Sequence, residues 1–245
     1  MDAKKIHVGA SGWIYDDWAQ RFYPKGVKGT DRLLYYCTQF DTVEVNSTFY
    51  RTPSEKVIAS WNKRLPRGYH FVVKGSRIVT HLKRLKNCED SLAMFLERAL
   101  RLKRLKVILW QLPPGLHKDL KRLDHFLGEL PKTVRHAVEF RHESWWDAEV
   151  RETLARHKAA FVAVSHPELP ETVFPTTDFL YLRFHGKGVQ RYRYDYSPGE
   201  LAEWAARVQP FLRGRTLYAF FNNDYHAWAP KNAALFRDLI LNTLR

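Results

Sequence analysis

Short runs rich in β-branched and aromatic residues alternate with helical segments along the whole chain. Eight of these runs have the length and composition of β-strands. They are IHVGAS from Ile6, TVEVNSTF from Thr42, YHFVVKG from Tyr69, KVILWQL from Lys106, RHAVEFRH from Arg135, AAFVAVS from Ala159, FLYLRFHG from Phe179 and TLYAFFNND from Thr216. Strands that alternate with helices favour a parallel sheet, because each helix returns the chain to the same edge.

Helices are predicted in most of the gaps between these strands. They follow Asp31, Ser54, Asn87, Lys118, Ser144, Ser197 and Pro230. The SPGE sequence from Ser197 is the clearest start, with serine as the N-cap, proline in the first turn and glutamate completing a capping box. Asp31 and Ser54 are predicted to be N-caps as well. The connection from His166 to Asp178 is too short and too rich in proline for a full helix.

The length and the number of strands favour one fold over its main alternative. The chain has 245 residues, close to the ~250 of a typical (βα)8 barrel. An open doubly wound sheet is the alternative, but no glycine-rich dinucleotide fingerprint or P-loop follows any predicted strand. Hydrophobic residues make up 45% of the chain, enough for a large core. We therefore predict a single (βα)8 TIM-type barrel domain with parallel strands over residues 1–245.

Period-two alternation separates a polar face from an apolar face in most of these strands. In the second strand, Val43 and Val45 oppose Glu44 and Asn46. The polar positions of the other strands are Ser11, Lys74, Gln111, Glu139, Arg141, Ser165, Tyr181, Arg183 and His185. Helices cover the outside of a barrel, so the polar face is expected to point inward, and the carboxyl ends of the strands are where barrel enzymes carry their active sites. This pattern predicts a polar, anion-binding pocket at that mouth.

Burying several charges costs several kcal/mol per ion unless the ions are paired. The structural alternative to a functional pocket is therefore an internal salt-bridge network. Its members would be Glu44, Glu139, Lys74, Arg141 and Arg183.

The loops that follow the strands are rich in aromatic residues. They carry Trp13, Tyr15, Trp18, Phe22, Tyr23, Phe49, Tyr50, Trp145, Trp146, Tyr192, Tyr194, Tyr196, Tyr225 and Trp228. Flat rings beside cations suit stacked bases or sugar faces, although packing onto the barrel rim is the plainer interpretation. The HGKG sequence from His185 follows the seventh strand, and barrels often bind phosphate in the loops after strands seven and eight. Lys187 or Arg191 would supply the positive charge there.

The net charge of +14 and the pI near 9.8 predict attraction to polyanions or to anionic substrates. The basic residues are concentrated between Lys74 and Lys106, in the sequences HLKRLKN and RLKRLKV. A solvated face of an amphipathic helix explains the same cluster without any ligand.

Four side chains have the chemistry of ligands for a divalent metal, namely Glu44, Glu139, His185 and Asp224. The arginines predicted beside them would repel a cation, so we assign no metal ligand and leave the cofactor open. Cys37 and Cys88 have no metal-binding spacing and are predicted to be reduced thiols. No apolar run approaches the ~20 residues of a membrane helix, and the first residues lack the apolar core of a signal peptide. We therefore expect a cytoplasmic protein without a membrane partner.

Eight short motifs occur in order over nearly the whole chain. They are GASGWIYDDW, FYP, EVNSTFY, FVVKGSRIVTH, QLPP, VEFRHESW, LRFHG and FNNDYHAWAPKNA. Together they resemble the motifs of the YecE-like family, domain of unknown function 72. The resemblance implies a (βα)8 barrel, distantly similar to the endonuclease IV-like and xylose isomerase-like groups, but no agreed activity. This chain lacks the rich set of metal-binding histidines and acids of those groups. The positions that match the family motifs are Trp13, Glu44, Asn46, Lys74, Thr80, His81, Gln111, Glu139, Arg141, Arg183, His185, Asn223 and Asp224.

Three function hypotheses follow. The first is an enzyme, such as a hydrolase, that acts on a phosphate-bearing substrate, nucleic acid included. Its catalytic residues would be Glu44, Glu139 and His185, and its substrate-binding residues Trp13, Asn46, Lys74, His81, Gln111, Arg141, Arg183, Lys187, Asn223 and Asp224. The second is a non-catalytic nucleic-acid binding protein that uses the basic helix and the aromatic rim. The third is a carbohydrate-active enzyme with Glu44 and Glu139 as its carboxylate pair.

Overall fold

The computed structural model describes residues 2–188 and 192–243, and all eight predicted strands lie within these ranges. They are β1 Ile6–Ala10, β2 Thr42–Val45, β3 His70–Lys74, β4 Leu105–Gln111, β5 Arg135–Glu139, β6 Ala160–Ser165, β7 Phe179–Phe184 and β8 Thr216–Phe221. Their order in the sheet is β1-β8-β7-β6-β5-β4-β3-β2. The pairs run parallel. This strand order, with helices in most of the connections between successive strands, is the topology of the (βα)8 TIM-type barrel, and the predicted fold class is confirmed.

Helices occupy most of the gaps between strands, as predicted. They are α1 Asp31–Gln39, α2 Ser47–Tyr50, α3 Glu55–Arg64, α4 Glu89–Ala99, α5 Leu120–Gly128, α6 Ala148–Arg156, α7 Pro198–Val208 and α8 Trp228–Asn242. A π-helical turn, Ile78–Leu82, follows β3. The connection between β6 and β7 contains no helix, all of its residues being described. This departure from regular barrel geometry agrees with the prediction from its length and proline content.

The helix starts show which capping signals predict the structure correctly. The capping box of α7 is present, because Ser197 and Glu200 each accept a hydrogen bond from the other's backbone N–H. Ser54 is the N-cap of α3. The prediction for Asp31 was wrong: Thr30 already has helical backbone angles, so Asp31 lies inside the first turn of α1. There its carboxylate complements the positive end of the helix dipole.

The chain divides into two compact units. Unit 1 comprises Met1–Glu44, Ala163–Val173 and Asp178–Arg245, and unit 2 comprises Val45–Val162 and Phe174–Thr177. In the core of unit 1, the rings of Phe184 and Phe221 stack at 4.2 Å. In the core of unit 2, Trp110 packs edge-on against Phe95 and Phe126. That the chain is a single domain stays a prediction.

Strand register decides which polar side chains share a face. In unit 2, Lys74 of β3 is paired with Leu109 of β4, and Gln111 of β4 is paired with Glu139 of β5. Because paired residues of adjacent strands point to the same side, and alternate residues of one strand do so too, Lys74, Gln111 and Glu139 share one face. Among the described residues, no helix is both long enough and apolar enough to cross a membrane.

Candidate functional site

A buried ion pair dominates the polar side chains of unit 1. Glu44, at the end of β2, accepts hydrogen bonds from Ser11 Oγ at 2.8 Å and from the Tyr181 hydroxyl at 2.5 Å. Arg183 of β7 donates to Glu44 Oε1 from Nε at 3.1 Å and from Nη2 at 2.7 Å. We call Ser11, Glu44, Tyr181 and Arg183 the Glu44 cluster.

The Glu44 cluster is closed to solvent. Glu44 is 0% exposed and Arg183 is 1% exposed. A buried pair of this kind persists only if hydrogen bonds replace the lost hydration, and both oxygens of Glu44 accept such bonds. For this pair the structure fits the salt-bridge alternative, because neither charge is offered to a ligand in this arrangement.

Asp224 follows β8 and has an unusual hydrogen-bonding position in unit 1. Its Oδ1 is buried and has no hydrogen-bond partner among the described residues. Its carboxyl also interacts with the Tyr15 hydroxyl, which lies 2.8 Å from the Ser11 carbonyl and donates to it. A phenol carries one proton, so the Tyr15 hydroxyl has two acceptors, the Ser11 carbonyl and the Asp224 carboxyl, for a single hydrogen.

The surroundings of Asp224 favour its neutral form. Burial is the largest effect, and together with the nearby carboxylates of Asp17 and Glu44, against the opposing effects of Tyr15 and Arg183, it raises the pKa of Asp224 to about 7. A group with this pKa changes its protonation state near neutral pH.

The loop after β7 holds its lysine in an ion pair. Lys187 Nζ lies 3.2 Å from Glu171 Oε1, and the other carboxylate oxygen of Glu171 lies 3.1 Å from Arg207 Nη1. Gly186, at a φ of 88°, allows Tyr194 to pack closely, since a Cβ at this position would lie 2.7 Å from Tyr194 Cβ. Arg191, the second cation predicted for this loop, lies outside the described residues.

The remaining predicted residues of unit 1, which are Asn223, Trp13 and His185, are all buried. Asn223 is fully buried, and its Nδ2 donates at 2.7 Å both to the Tyr194 carbonyl and to Asn232 Oδ1. The Trp13 carbonyl accepts a hydrogen bond from the Tyr23 hydroxyl, and the Trp13 ring is buried. His185 has no exposed surface.

A second polar cluster lies at the ends of the unit 2 strands. Lys74 Nζ donates to Gln111 Oε1 at 2.6 Å and lies 4.2 Å above the Phe49 ring. Arg141 donates from Nε to Glu139, which has no exposed surface. With the adjoining His81, which is described next, we call Lys74, Gln111, Glu139 and Arg141 the Lys74 cluster.

His81 lies on the π-helical turn after β3, and such turns are rare and frequent at functional sites. Its Nδ1 lies 2.9 Å from Thr80 Oγ1, and that hydroxyl lies 3.2 Å from the Ser76 carbonyl. A threonine hydroxyl has one proton, so both contacts are hydrogen bonds only when Thr80 donates to Ser76 and His81 Nδ1–H donates to Thr80. This tautomer leaves a lone pair on Nε2 of His81.

Burial and the charges of the Lys74 cluster both disfavour a protonated His81. Burial is the larger effect, and together with the charges of Lys74, Arg141 and Arg77, against the opposing effect of Glu139, it lowers the pKa of His81 to about 4. The cations near the imidazole thus add a positive potential to the effect of burial.

Backbone and ring contacts fix the position of Lys74. Thr48 of α2 donates to the Lys74 carbonyl at 2.7 Å, which ties this short helix to β3. Asn46, predicted as a binding residue, is half-buried and precedes α2 as its N-cap. Gly75 leaves room for Trp110, since a Cβ at Gly75 would lie 2.2 Å from the indole ring.

Two histidines near this cluster were not predicted as site residues. The rings of His117 and His142 stack at 3.8 Å with an interplanar angle of 19°. His142 follows Arg141 directly, and His117 lies in the loop after β4. No sequence pattern pairs them, because the contact depends on the conformation of two separate loops.

No group of three or more histidine, cysteine, aspartate and glutamate side chains with the arrangement of a metal site occurs within residues 2–188 and 192–243. The four candidate metal ligands named from the sequence, Glu44, Glu139, His185 and Asp224, thus do not form such a group.

Comparisons with known proteins place the chain in a family. The profile of a protein family of unknown function, DUF72, matches residues 7–244. The chain belongs to the DUF72 family. Its relatives include the UPF0759 protein YunF of Bacillus subtilis, 25% identical over 96% of this chain and 94% of that protein. The UPF0759 protein YecE of Escherichia coli K12 is 29% identical over 62% of this chain and 54% of that protein.

Solved structures of DUF72 proteins have the same fold. A DUF72 protein from Thermotoga maritima matches with a TM-score of 0.83 and 33% identity, covering 96% of this chain and 99% of that one. A DUF72 protein from Enterococcus faecalis matches with a TM-score of 0.80 at 20% identity, covering 96% of this chain and 95% of that one. The resemblance stated from the motifs is confirmed. DUF72 is a family of unknown function, so membership does not assign an activity to this chain.

Proposed function

We propose that this protein is an enzyme acting on a phosphate-bearing substrate, and that the Lys74 cluster binds the phosphate. The observation that carries the proposal is that Lys74 Nζ and the His81 ring both contact the Phe49 ring, with Arg141 close enough to act on the His81 imidazole. A bound anion would offset the positive potential that now disfavours protonation of His81.

The members of the cluster have distinct roles in this proposal. Lys74 supplies a compact positive charge, and its bond to Gln111 fixes the direction of the ammonium group. Arg141 supplies a planar guanidinium that suits phosphate oxygens, and Glu139 orients it through Nε. His81 Nε2 accepts a proton during the reaction.

Two cations proposed from the sequence as anion-binding groups are less suitable in this structure. Arg183 is buried against Glu44, and Lys187 is paired with Glu171. Arg141 is also in an ion pair, with Glu139. The proposal therefore places the phosphate first on Lys74, whose ammonium group donates to the uncharged Gln111 amide, with Arg141 beside it.

Calorimetric titration with pyrophosphate tests the binding step. Charge-assisted hydrogen bonds contribute about 1.5–3 kcal/mol, so Lys74→Met and Arg141→Met should each weaken binding roughly 10- to 100-fold. Lys63→Met, which removes an exposed lysine of α3, is the matched control and should bind normally. Equal weakening in all three variants, or no binding by the unaltered protein, would contradict the proposal.

The catalytic step needs a separate readout. Phosphomonoesters and phosphodiesters are incubated with the protein, with and without divalent metals, and products are followed by ³¹P NMR. His81→Ala should abolish turnover of any ester that the protein cleaves, while pyrophosphate binding is retained. A protein that binds pyrophosphate but cleaves no ester would be a binding protein rather than an enzyme.

We propose nucleic-acid binding as a second candidate function, on one observation. Lys83, Arg84 and Lys86 are exposed and have no carboxylate partner in the described part of the chain. By contrast, Arg98 of the neighbouring helix α4 and Arg101 just beyond its end are paired with Glu55. The unpaired cations, rather than the helix face, are therefore suited to contact a phosphate backbone.

A further inference from the structure

Three exposed apolar side chains lie on the two short segments that adjoin the Lys74 cluster. Tyr50 is 70% exposed, Ile78 is 45% exposed and Leu82 is 63% exposed. Tyr50 ends α2, and the other two lie on the π-helical turn that also carries His81. Singly exposed apolar residues are ordinary. Three of them on the two short segments that hold the Lys74 cluster are a feature that needs an explanation.

Ring contacts join these segments through Phe49. The Phe49 ring lies 5.0 Å from Tyr50 and 4.8 Å from His81, edge-on to both. Lys74 Nζ lies 4.2 Å above the same ring. Phe49 itself is only 9% exposed, so its ring is the buried contact shared by Tyr50, His81 and Lys74. The Tyr50 ring is exposed to solvent.

We propose that the phosphate-bearing substrate is a nucleotide, whose base stacks on Tyr50 and packs against Ile78 and Leu82. This inference rests on the proposed function, because it places the base beside the phosphate at Lys74 and Arg141. Charge and apolar surface side by side complement a ligand that joins an anion to an apolar group. The Tyr50 ring favours a planar base over an alkyl chain, because ring stacking adds to the burial of apolar area.

The ligand series for the test separates the phosphate from the base. Binding of inorganic phosphate, ribose 5-phosphate, hexyl phosphate and AMP is measured by calorimetry under one set of conditions. Base stacking on an aromatic side chain contributes about 1–3 kcal/mol, so AMP should bind roughly 5- to 150-fold more tightly than ribose 5-phosphate. Hexyl phosphate should bind more weakly than AMP.

Variants locate the gain in affinity. Tyr50→Ala and Leu82→Ser should remove most of the difference between AMP and ribose 5-phosphate, and they should leave the binding of inorganic phosphate unchanged. Leu100→Ser is the matched control, since Leu100 is 44% exposed and lies beyond the end of α4.

The outcomes distinguish this inference from the proposed function. Equal binding of AMP and ribose 5-phosphate, with normal phosphate binding, overturns the nucleotide inference alone. Hexyl phosphate binding as tightly as AMP overturns it too, in favour of an acyl-type ligand. Loss of all phosphate binding overturns the proposed function and the inference together.

Discussion

The two polar clusters of this protein arise in the same way but differ in how far their charges are buried. In unit 1, Glu44 and Arg183 neutralise each other and are 0% and 1% exposed. In unit 2, Arg141 is paired with the buried Glu139, and both Lys74 and Arg141 are partly exposed. A strand-end charge is thus not by itself a sign of function. Its exposure decides whether a ligand can reach it.

The largest expected effect is a decrease in the free energy of unfolding when the Glu44–Arg183 pair of unit 1 is broken. Glu44→Gln leaves the Arg183 guanidinium buried without a counter-charge, and breaking a buried pair in this way costs about 3–5 kcal/mol. Lys74→Met removes a half-buried charge in unit 2 and should cost about 1 kcal/mol or less. Urea denaturation followed by circular dichroism measures both.

The comparison fails if these two costs are reversed. A Glu44→Gln variant as stable as the unaltered protein would show that the Glu44 cluster does not stabilise the fold. Pyrophosphate binding gives the complementary test, because Lys74→Met should weaken it and a folded Glu44→Gln variant should not.

A second effect concerns the pH dependence of stability, through the raised pKa of the Asp224 carboxyl in unit 1. The pKa of Asp224 is about 7 in the fold, against about 3.9 in an unfolded chain. A raised pKa contributes stability that is fully present below about pH 4 and is lost as the pH rises through 7. The groups that face Asp224 are Tyr15, Asp17, Glu44 and Arg183.

Asp224→Asn isolates this contribution, because an amide has nearly the shape of a carboxyl group and does not titrate. The stability of the unaltered protein relative to Asp224→Asn should fall between pH 4 and 7, by at most about 1.4 kcal/mol per pH unit. His81, whose pKa is lowered to about 4, changes stability in the opposite direction over this window, but it cancels in the difference. A pH-independent difference would show that Asp224 is ionised throughout.

The smallest effect concerns the unpaired cations of unit 2. An oligonucleotide should bind the protein with an affinity that falls as salt rises, with a logarithmic slope near −0.9 per phosphate contact on duplex DNA and near −0.7 on single strands. Replacing Lys83, Arg84 and Lys86 together by serine should make that slope shallower. Fluorescence anisotropy at several salt concentrations measures it.

A control with the same loss of charge distinguishes a local surface from net charge. Lys56, Lys63 and Lys121 are exposed elsewhere in unit 2, and they are replaced by serine together. If both triple variants make the salt-dependence slope equally shallow, the binding follows net charge alone. The exposed group of Lys83, Arg84 and Lys86 then no longer supports nucleic-acid binding as a function.

Strand periodicity was sufficient to predict the eight strands, the parallel order and the helix-free connection before β7. It also predicted which residues face the same side, since a period of two leaves only two faces. It could not predict which charged side chains form ion pairs. That Glu44 is satisfied by Arg183 of β7, and Lys187 by Glu171, depends on residues far apart in the chain.

Other features of the site depend on local geometry that composition does not encode. The low pKa of His81 follows from its burial and from the charges of Lys74 and Arg141, and the π-helical turn places the ring there. The misread N-cap at Asp31 has a similar cause, because the helical backbone of Thr30 shifts the helix start by one residue. Capping preferences identify suitable residue types but not the backbone angle of the preceding residue.

The titration of the His81 imidazole by NMR tests the central claim most directly, because this ring reports the potential of the Lys74 cluster. Without ligand, its pKa should be about 4. With saturating pyrophosphate, the bound negative charge should raise the pKa of His81 by about one unit or more, and Lys74→Met should reduce the affinity for pyrophosphate. An unchanged pKa of His81 in the pyrophosphate complex would contradict the account, since the anion would then be bound elsewhere.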